Sequence, residues 1–244
     1  MARKSPRIFL KNSLSLQTHV VLSEEHVHYL CRVLRLRAGD SVSVFNEQDG
    51  EWSAHLVLDT CNQMTLKVES FDRSALSSFD TWVLFTPLKP DRVSFLIEKL
   101  TELGVSTLYP IQTERTQKFD LKYEKMRLTL IEAAEQCERL SIPILHEKQP
   151  LDSLLKDWPQ DRPLLWADES RTDPLMLTEL ESLKTDRIAL LIGPEGGFSE
   201  AERQKLRSYS YCRPISLGPN ILRAETAAIC TVSLLHQYLL HKNK

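Results

Sequence analysis

Between positions 41 and 70 apolar and polar residues alternate in short runs, at 41–45, 51–58 and 64–69. Asn46-Glu47-Gln48-Asp49-Gly50 and Asp59-Thr60-Cys61-Asn62 supply the turns between them. A period of two bounded by turn residues predicts strands joined as hairpins, and so a small antiparallel β-barrel. Ahead of it, Ser23 is placed to cap a short helix reaching Leu34, and Gly39-Asp40 turns the chain into the first strand. Residues 71–80 are rich in serine and poor in large apolar side chains, which marks a linker. The expected organisation is a barrel domain over 1–72, a linker over 73–80 and a second domain over 81–244.

Past residue 80 the rhythm lengthens. Apolar runs at 82–85, 107–111, 163–167, 188–192 and 215–217 alternate with helical patterns at 93–103, 121–140, 174–183, 200–208 and 221–240. Repeated strand–helix units with continuously apolar strands predict an α/β domain whose parallel sheet is covered on both faces. In the last helix Ile229, Val232, Leu235 and Leu239 form an apolar stripe for packing in the core or against a second copy of the chain.

Composition narrows the class. The hydrophobic residues make up 42% and the charged residues 26% of 244 positions, the balance of a chain that buries a core, which excludes disorder. The tail at 221–240 is interrupted by Arg223, Glu225 and His236, so no membrane span is expected. The apolar run Ile8-Phe9-Leu10 is too short for a secretion signal, which makes the cytoplasm the expected compartment. Five scattered cysteines form no C-x-x-C pair, and His26 and His28 are two apart and point away from each other on a helix. No metal site is expected.

The net charge of −2 hides an asymmetry. Residues 1–40 carry seven bases against three acids, a net of +4, so the other 204 residues carry −6. A basic end on an acidic body is either a phosphate-facing surface or a solvated face that happens to be basic.

Four of the seven glycines lie between 193 and 218. Gly193-Pro194-Glu195-Gly196-Gly197 follows an apolar strand and precedes a helix, and Leu217-Gly218-Pro219-Asn220-Ile221-Leu222-Arg223 repeats the passage. Ligands of parallel sheets bind beyond the carboxyl ends of strands, where glycine lets backbone approach closely. Each segment is either a tight turn, the first capped by Ser199, or a ligand loop. Neither has the spacing of a dinucleotide fingerprint or a P-loop.

Together LIGPEGGFSEAE (191–202) and SLGPNILRAETA (216–227) resemble the SPOUT class of S-adenosylmethionine-dependent RNA methyltransferases, and within it the 16S ribosomal RNA uridine-N3 methyltransferase family. HYLCRVLRLRAGD (28–40), KPDRVSFLIEKLTELGV (89–105) and IEAAEQCER (131–139) are similar to family segments in the same order. The resemblance implies a PUA-like RNA-binding β-barrel followed by a parallel-sheet methyltransferase domain with a C-terminal trefoil knot. It implies that Leu191, Ile192, Gly193, Pro194, Glu195, Gly196 and Gly197, with Leu217, Gly218, Asn220, Ile221 and Leu222, wrap S-adenosyl-L-methionine. It further implies a homodimer with the site near the subunit interface, and 16S rRNA or the assembled small ribosomal subunit as partner. Asn220 and Ala224 stand where the family usually has arginine and threonine, and Cys137 and Glu138 where it usually has serine and glycine.

Methyl transfer to uracil N3 needs alignment of two reactants, a cation for the charge left on the ring carbonyls and an acceptor for the N3 proton. Arg223 is the candidate cation, and Glu195 and Glu225 are candidates for orienting groups or accepting the proton. Arg7, Arg32, Arg35 and Arg37 are expected to hold flanking phosphates. The alternatives are a non-catalytic RNA-binding assembly factor and a SPOUT methyltransferase acting elsewhere on RNA.

Overall fold

The computed structural model describes residues 5–61, 63–75, 79–168 and 172–242. The chain forms two compact units, Met1–Ser77 with Ala134–Ile142, and Ser78–Ala133 with Pro143–Lys244. Residues 76–78 of the expected linker lie outside the described residues.

The first unit contains β1 (Arg7–Phe9), β2 (His19–Val21), α1 (Glu24–Val27), β3 (Ser41–Asn46), β4 (Gly50–Leu58) and β5 (Met64–Arg73), in the sheet order β1-β3-β4-β5-β2. Alternation along the strands puts Val42, Val44, Ala54, Leu56, Leu66 and Val68 into one core with Ile8, Leu10 and Leu30. Ser23 caps α1 by accepting from the His26 N–H, and the helix widens into a π-helical turn at His28–Val33 that ends on Arg35 at φ 60°. The strands expected at 41–70 pair antiparallel, β3 with β4 and β4 with β5, while β1, which the sequence reading does not include, runs parallel to β3. Phe71 and Arg73 pair with Trp52 and Glu51, so strand continues into the stretch that composition marks as linker.

Residues 134–142 belong to this unit. Phe45 packs on Ala134 and Leu140. Arg7 donates to the carbonyls of Ala134, Glu135 and Arg139. The division of the chain is therefore not the linear one expected around residues 73–80.

The second unit comprises β6 (Thr81–Phe85), α2 (Pro90–Glu102), β7 (Thr107–Gln112), α3 (Tyr123–Gln136, whose last turn lies in the first unit), β8 (Ile144–Leu145), β9 (Gln149–Pro150), α4 (Leu151–Lys156), β10 (Leu164–Ala167), α5 (Met176–Ser182), β11 (Ile188–Ile192), α6 (Glu200–Ser208), β12 (Cys212–Ile215) and α7 (Ala224–Lys242). The strands lie in the order β12-β10-β11-β6-β7-β8, with β9 on β7, and every pairing is parallel. All five residues of central β11 are buried, and Trp158, Trp166 and Phe198 fill the core beside it.

Two expectations shift. The last strand is 212–215 rather than 215–217; Pro214 has no N–H to donate and is tolerated because β12 is an edge strand. The last helix begins at Ala224 rather than Ile221, its first turn closed by the Ala227 N–H on the Arg223 carbonyl. The short elements α4, β8 and β9 are additions to the sequence reading.

Candidate active site at the carboxyl ends of three strands

A cavity of about 470 Å³ opens beyond β10, β11 and β12, within the roughly 300–1,000 Å³ of small-molecule sites. Its walls are Ala167, the last residue of β10, with Asp168; Ile192, the last residue of β11, with the loop to Gly197; Leu217, Gly218 and residues 220–223 after β12; and Ala224 and Ala227 of α7. The two glycine-bearing segments thus face one space. Of the twelve residues expected to wrap a cofactor, Ile192, Gly193, Pro194, Glu195, Gly196, Gly197, Leu217, Gly218, Asn220, Ile221 and Leu222 line it. Leu191, the twelfth, is fully buried inside β11 and is not among the lining residues.

The loop after β11 is fastened at both ends. Phe198 is buried against Trp166, ring centroids 5.5 Å apart, and Ser199 and Glu202 form a reciprocal cap on α6. A Cβ on Gly193 would meet the Phe198 ring at 2.6 Å, so only glycine fits there. Gly218 has φ 113° and open space around it, an exposed stretch of backbone that a side chain would both strain and cover. These features make a cradle with backbone left open at Gly218.

Charge surrounds the cavity. Asp168, its carboxylate fully enclosed, accepts from Arg203 at 2.5 Å and Arg207 at 3.2 Å. Arg223 lines the cavity and is exposed. Glu195 also lines it, while Glu225 is buried in the first turn of α7. Arg92, in the first turn of α2, places Nη1 2.7 Å from Glu195 Oε1 and 3.7 Å from Glu225 Oε1. From the far side Gln117 Nε2 lies 3.5 Å from Glu195 Oε2, and Arg115 donates to the Gly196 carbonyl at 3.0 Å.

Sequence reasoning missed Ala167, Asp168, Arg92, Arg115 and Gln117. The signal was available: each ends or follows a strand of a parallel sheet on the side where ligands bind, but the sequence reading weighted only the loops that carry glycine. Among the described residues no group of three His, Cys, Asp or Glu is arranged to hold a metal ion, and no helix is long and apolar enough to cross a membrane.

In the first unit Arg32, Arg35 and Arg37 are exposed on and just after the π-helical turn. Arg7 is not. Its side chain is 8% exposed, bonded to Glu51 and stacked over Phe45 at 4.3 Å, so its charge is used inside the unit and the phosphate-holding expectation is corrected for this residue.

The profile of an RNA methyltransferase domain matches residues 76–236, and that of an RNA methyltransferase PUA domain matches residues 22–69. The chain belongs to the RNA methyltransferase family. The methyltransferase is 32% identical over 232 residues to the ribosomal RNA small subunit methyltransferase E of Rickettsia conorii, with 94% of each chain covered. Its fold is that of a Legionella pneumophila methyltransferase solved in complex with the cofactor SAM (TM-score 0.84, 27% identity, 96% and 98% of the two chains). The ribosomal RNA small subunit methyltransferase E of Neisseria gonorrhoeae, bound to S-adenosyl methionine, shares the fold at TM-score 0.83, 24% identity and 96% and 97% coverage. The PUA-like unit followed by a parallel-sheet methyltransferase unit agrees with the sequence expectation.

Proposed function

We propose that this methyltransferase transfers a methyl group from S-adenosyl-L-methionine to N3 of a uridine in small-subunit ribosomal RNA. The observation that carries the reading is the convergence of both glycine loops, with Arg223 between them and α7, on one cavity beyond β10, β11 and β12. The cofactor and the class of RNA are those in the names of its relatives. The cradle fits such a group: a loop packed so closely on Phe198 at Gly193 that no side chain is admitted there, an open Gly218 and a pocket of matching scale. When bound, S-adenosyl-L-methionine supplies an electrophilic methyl.

The chain's own residues then have defined work. The loops at 192–197 and 217–222 hold the donor, which fixes the line of attack. Arg223 stands exposed at the cavity to stabilise charge on the uracil carbonyls as N3 gives up its proton. Glu195 or Glu225 accepts that proton. The N3 edge is occupied in a paired base, so the target uridine enters unpaired or pulled from its stack. Arg32, Arg35 and Arg37 hold flanking phosphates and set register rather than base identity.

The same reading includes the C-terminal trefoil knot, a cytoplasmic location and action as a homodimer. Pairing is supported by exposed apolar side chains at Leu175, Leu177, Ile221 and Leu240, up to 72% accessible at Ile221. Calorimetric titration with S-adenosyl-L-methionine and methyl incorporation from labelled cofactor into small-subunit RNA test the proposal. Saturable binding with incorporation supports it; binding without incorporation into any RNA leaves the assembly-factor function instead.

A further inference from the structure

One guanidinium reaches both carboxylates of the site. Arg92 makes a 2.7 Å hydrogen bond to Glu195, on the loop after β11, and a 3.7 Å ion pair with Glu225, at the head of α7. Its side chain is 31% exposed, so it works in a partly screened environment. Pro90 at the start of α2 and the buried Val93, Leu96 and Ile97 hold the backbone that presents it. Two carboxylates against one cation leave the trio with one negative charge.

The second observation is an orphan. Glu225 Oε2 is buried and has no hydrogen-bond partner. A carboxylate oxygen in that condition is costly, and its full solvation shell has not been replaced by protein donors. Oε1 is turned toward Arg92 and Oε2 is an acceptor without a protein donor, on a residue that follows Arg223 and Ala224 of the cavity wall without itself lining the cavity.

We propose that Arg92 is a positioning residue for methyl transfer: by tying Glu195 to Glu225 it holds Glu225 with one free oxygen as the acceptor of the uridine N3 proton. The proposal rests on the reading of function given above and divides the labour between the two candidate carboxylates. The N3–methyl bond forms as the methyl–sulfur bond breaks, the electrons of that bond stay on sulfur, and the N3 proton passes to Glu225 Oε2 and later to water. Arg92 touches none of the reacting atoms. Its action goes through Glu225.

The test compares Arg92→Met, Arg92→Lys, Glu225→Gln and the double variant Arg92→Met/Glu225→Gln in the full chain. Methyl-transfer kinetics on small-subunit RNA, calorimetric affinity for S-adenosyl-L-methionine and thermal unfolding are measured for each. Arg92→Met is expected to lower kcat by about 10–100-fold, the scale of a misplaced reacting group, with KM for RNA and cofactor affinity held within about twofold. Arg92→Lys restores only part, since an ammonium lacks the planar fork that spans two carboxylates. In the Glu225→Gln background Arg92→Met costs nothing further. A wild-type kcat in Arg92→Met, a loss confined to KM or to cofactor affinity, or additive losses in the double variant overturns the proposal. If Arg92→Met unfolds, a wild-type kcat in Arg92→Lys or Glu225→Gln overturns it equally. Failure of the wild-type protein to transfer methyl to any RNA overturns the functional reading itself, which the calorimetric arm reads separately.

Discussion

Arg7 Nε lies 2.5 Å from Glu51 Oε1, and each of the two side chains is only 8% exposed. The same guanidinium donates to Ala134 and Glu135 at 3.1 and 2.6 Å, so a residue near the N-terminus pins a segment far along the chain into the first unit. Breaking a buried pair leaves an uncompensated charge, here softened because Arg73 and Ser43 also bond Glu51. Arg7→Ala is expected to cost about 3 kcal/mol of stability, seen in chemical unfolding of the full chain and as reduced hydrogen-exchange protection in residues 134–142.

The exposed arginines behave differently. Replacing Arg32, Arg35 and Arg37 by alanine should leave stability unchanged and flatten the dependence of RNA affinity on salt. The expected change in slope is about 0.7 for each phosphate of a single strand that is no longer neutralised. An unchanged slope in fluorescence-anisotropy titrations would count against a phosphate role for these three.

Glu51 ties acid stability to this unit. Burial pushes its carboxyl up, but hydrogen bonds from Ser43, Arg7 and Arg73 outweigh burial and hold it below the usual carboxylate range. A carboxyl depressed in the folded state stabilises above its unfolded pKa, about 4.3 for Glu, and that stabilisation is lost as pH falls through the lower folded value. Exchange protection of β3 and β4, corrected for intrinsic rates, should therefore drop as pH falls below about 5. Glu51→Gln should start lower and change less. Asp49, held low chiefly by the Leu14 N–H, preserves part of the acid response in that variant.

The two loop glycines separate a steric clash from ordinary packing. Gly193→Ala drives a methyl to 2.6 Å from the Phe198 ring, whereas the same change at Gly196 meets Arg115 Cβ at 3.7 Å. Overpacking of this kind costs about 1–3 kcal/mol, and the displaced loop should weaken S-adenosyl-L-methionine binding in calorimetry. Gly196→Ala should stay near the wild type in stability. Equal losses in both would refute the steric account.

What the sequence made legible is local. Five consecutive apolar residues at 188–192 and the Ser199 cap mark β11 and α6, whereas the glycines between them fit a tight turn as well as a ligand loop until the fold sets them against the cavity. Cys212-Arg213-Pro214-Ile215 does not read as a strand because edge position, which excuses Pro214, is a tertiary property. Arg7 and Arg32 are the same residue in the same basic segment; their opposite fates follow from Glu51, a partner 44 positions from Arg7. Arg92 reads as an ordinary first-turn residue because Glu195 lies 103 positions away. Periodicity likewise finds the helix before residue 140 but carries no information about which core its end joins.

The most direct test of the central claim is nucleoside identification. Small ribosomal subunits lacking the native modification, and the naked RNA beside them, are incubated with this protein and labelled S-adenosyl-L-methionine, then digested and resolved by mass spectrometry. The account predicts labelled N3-methyluridine, reduced in the Arg223→Ala variant. Label in any other nucleoside, or undiminished N3-methyluridine from well-folded Arg223→Ala protein, would contradict it.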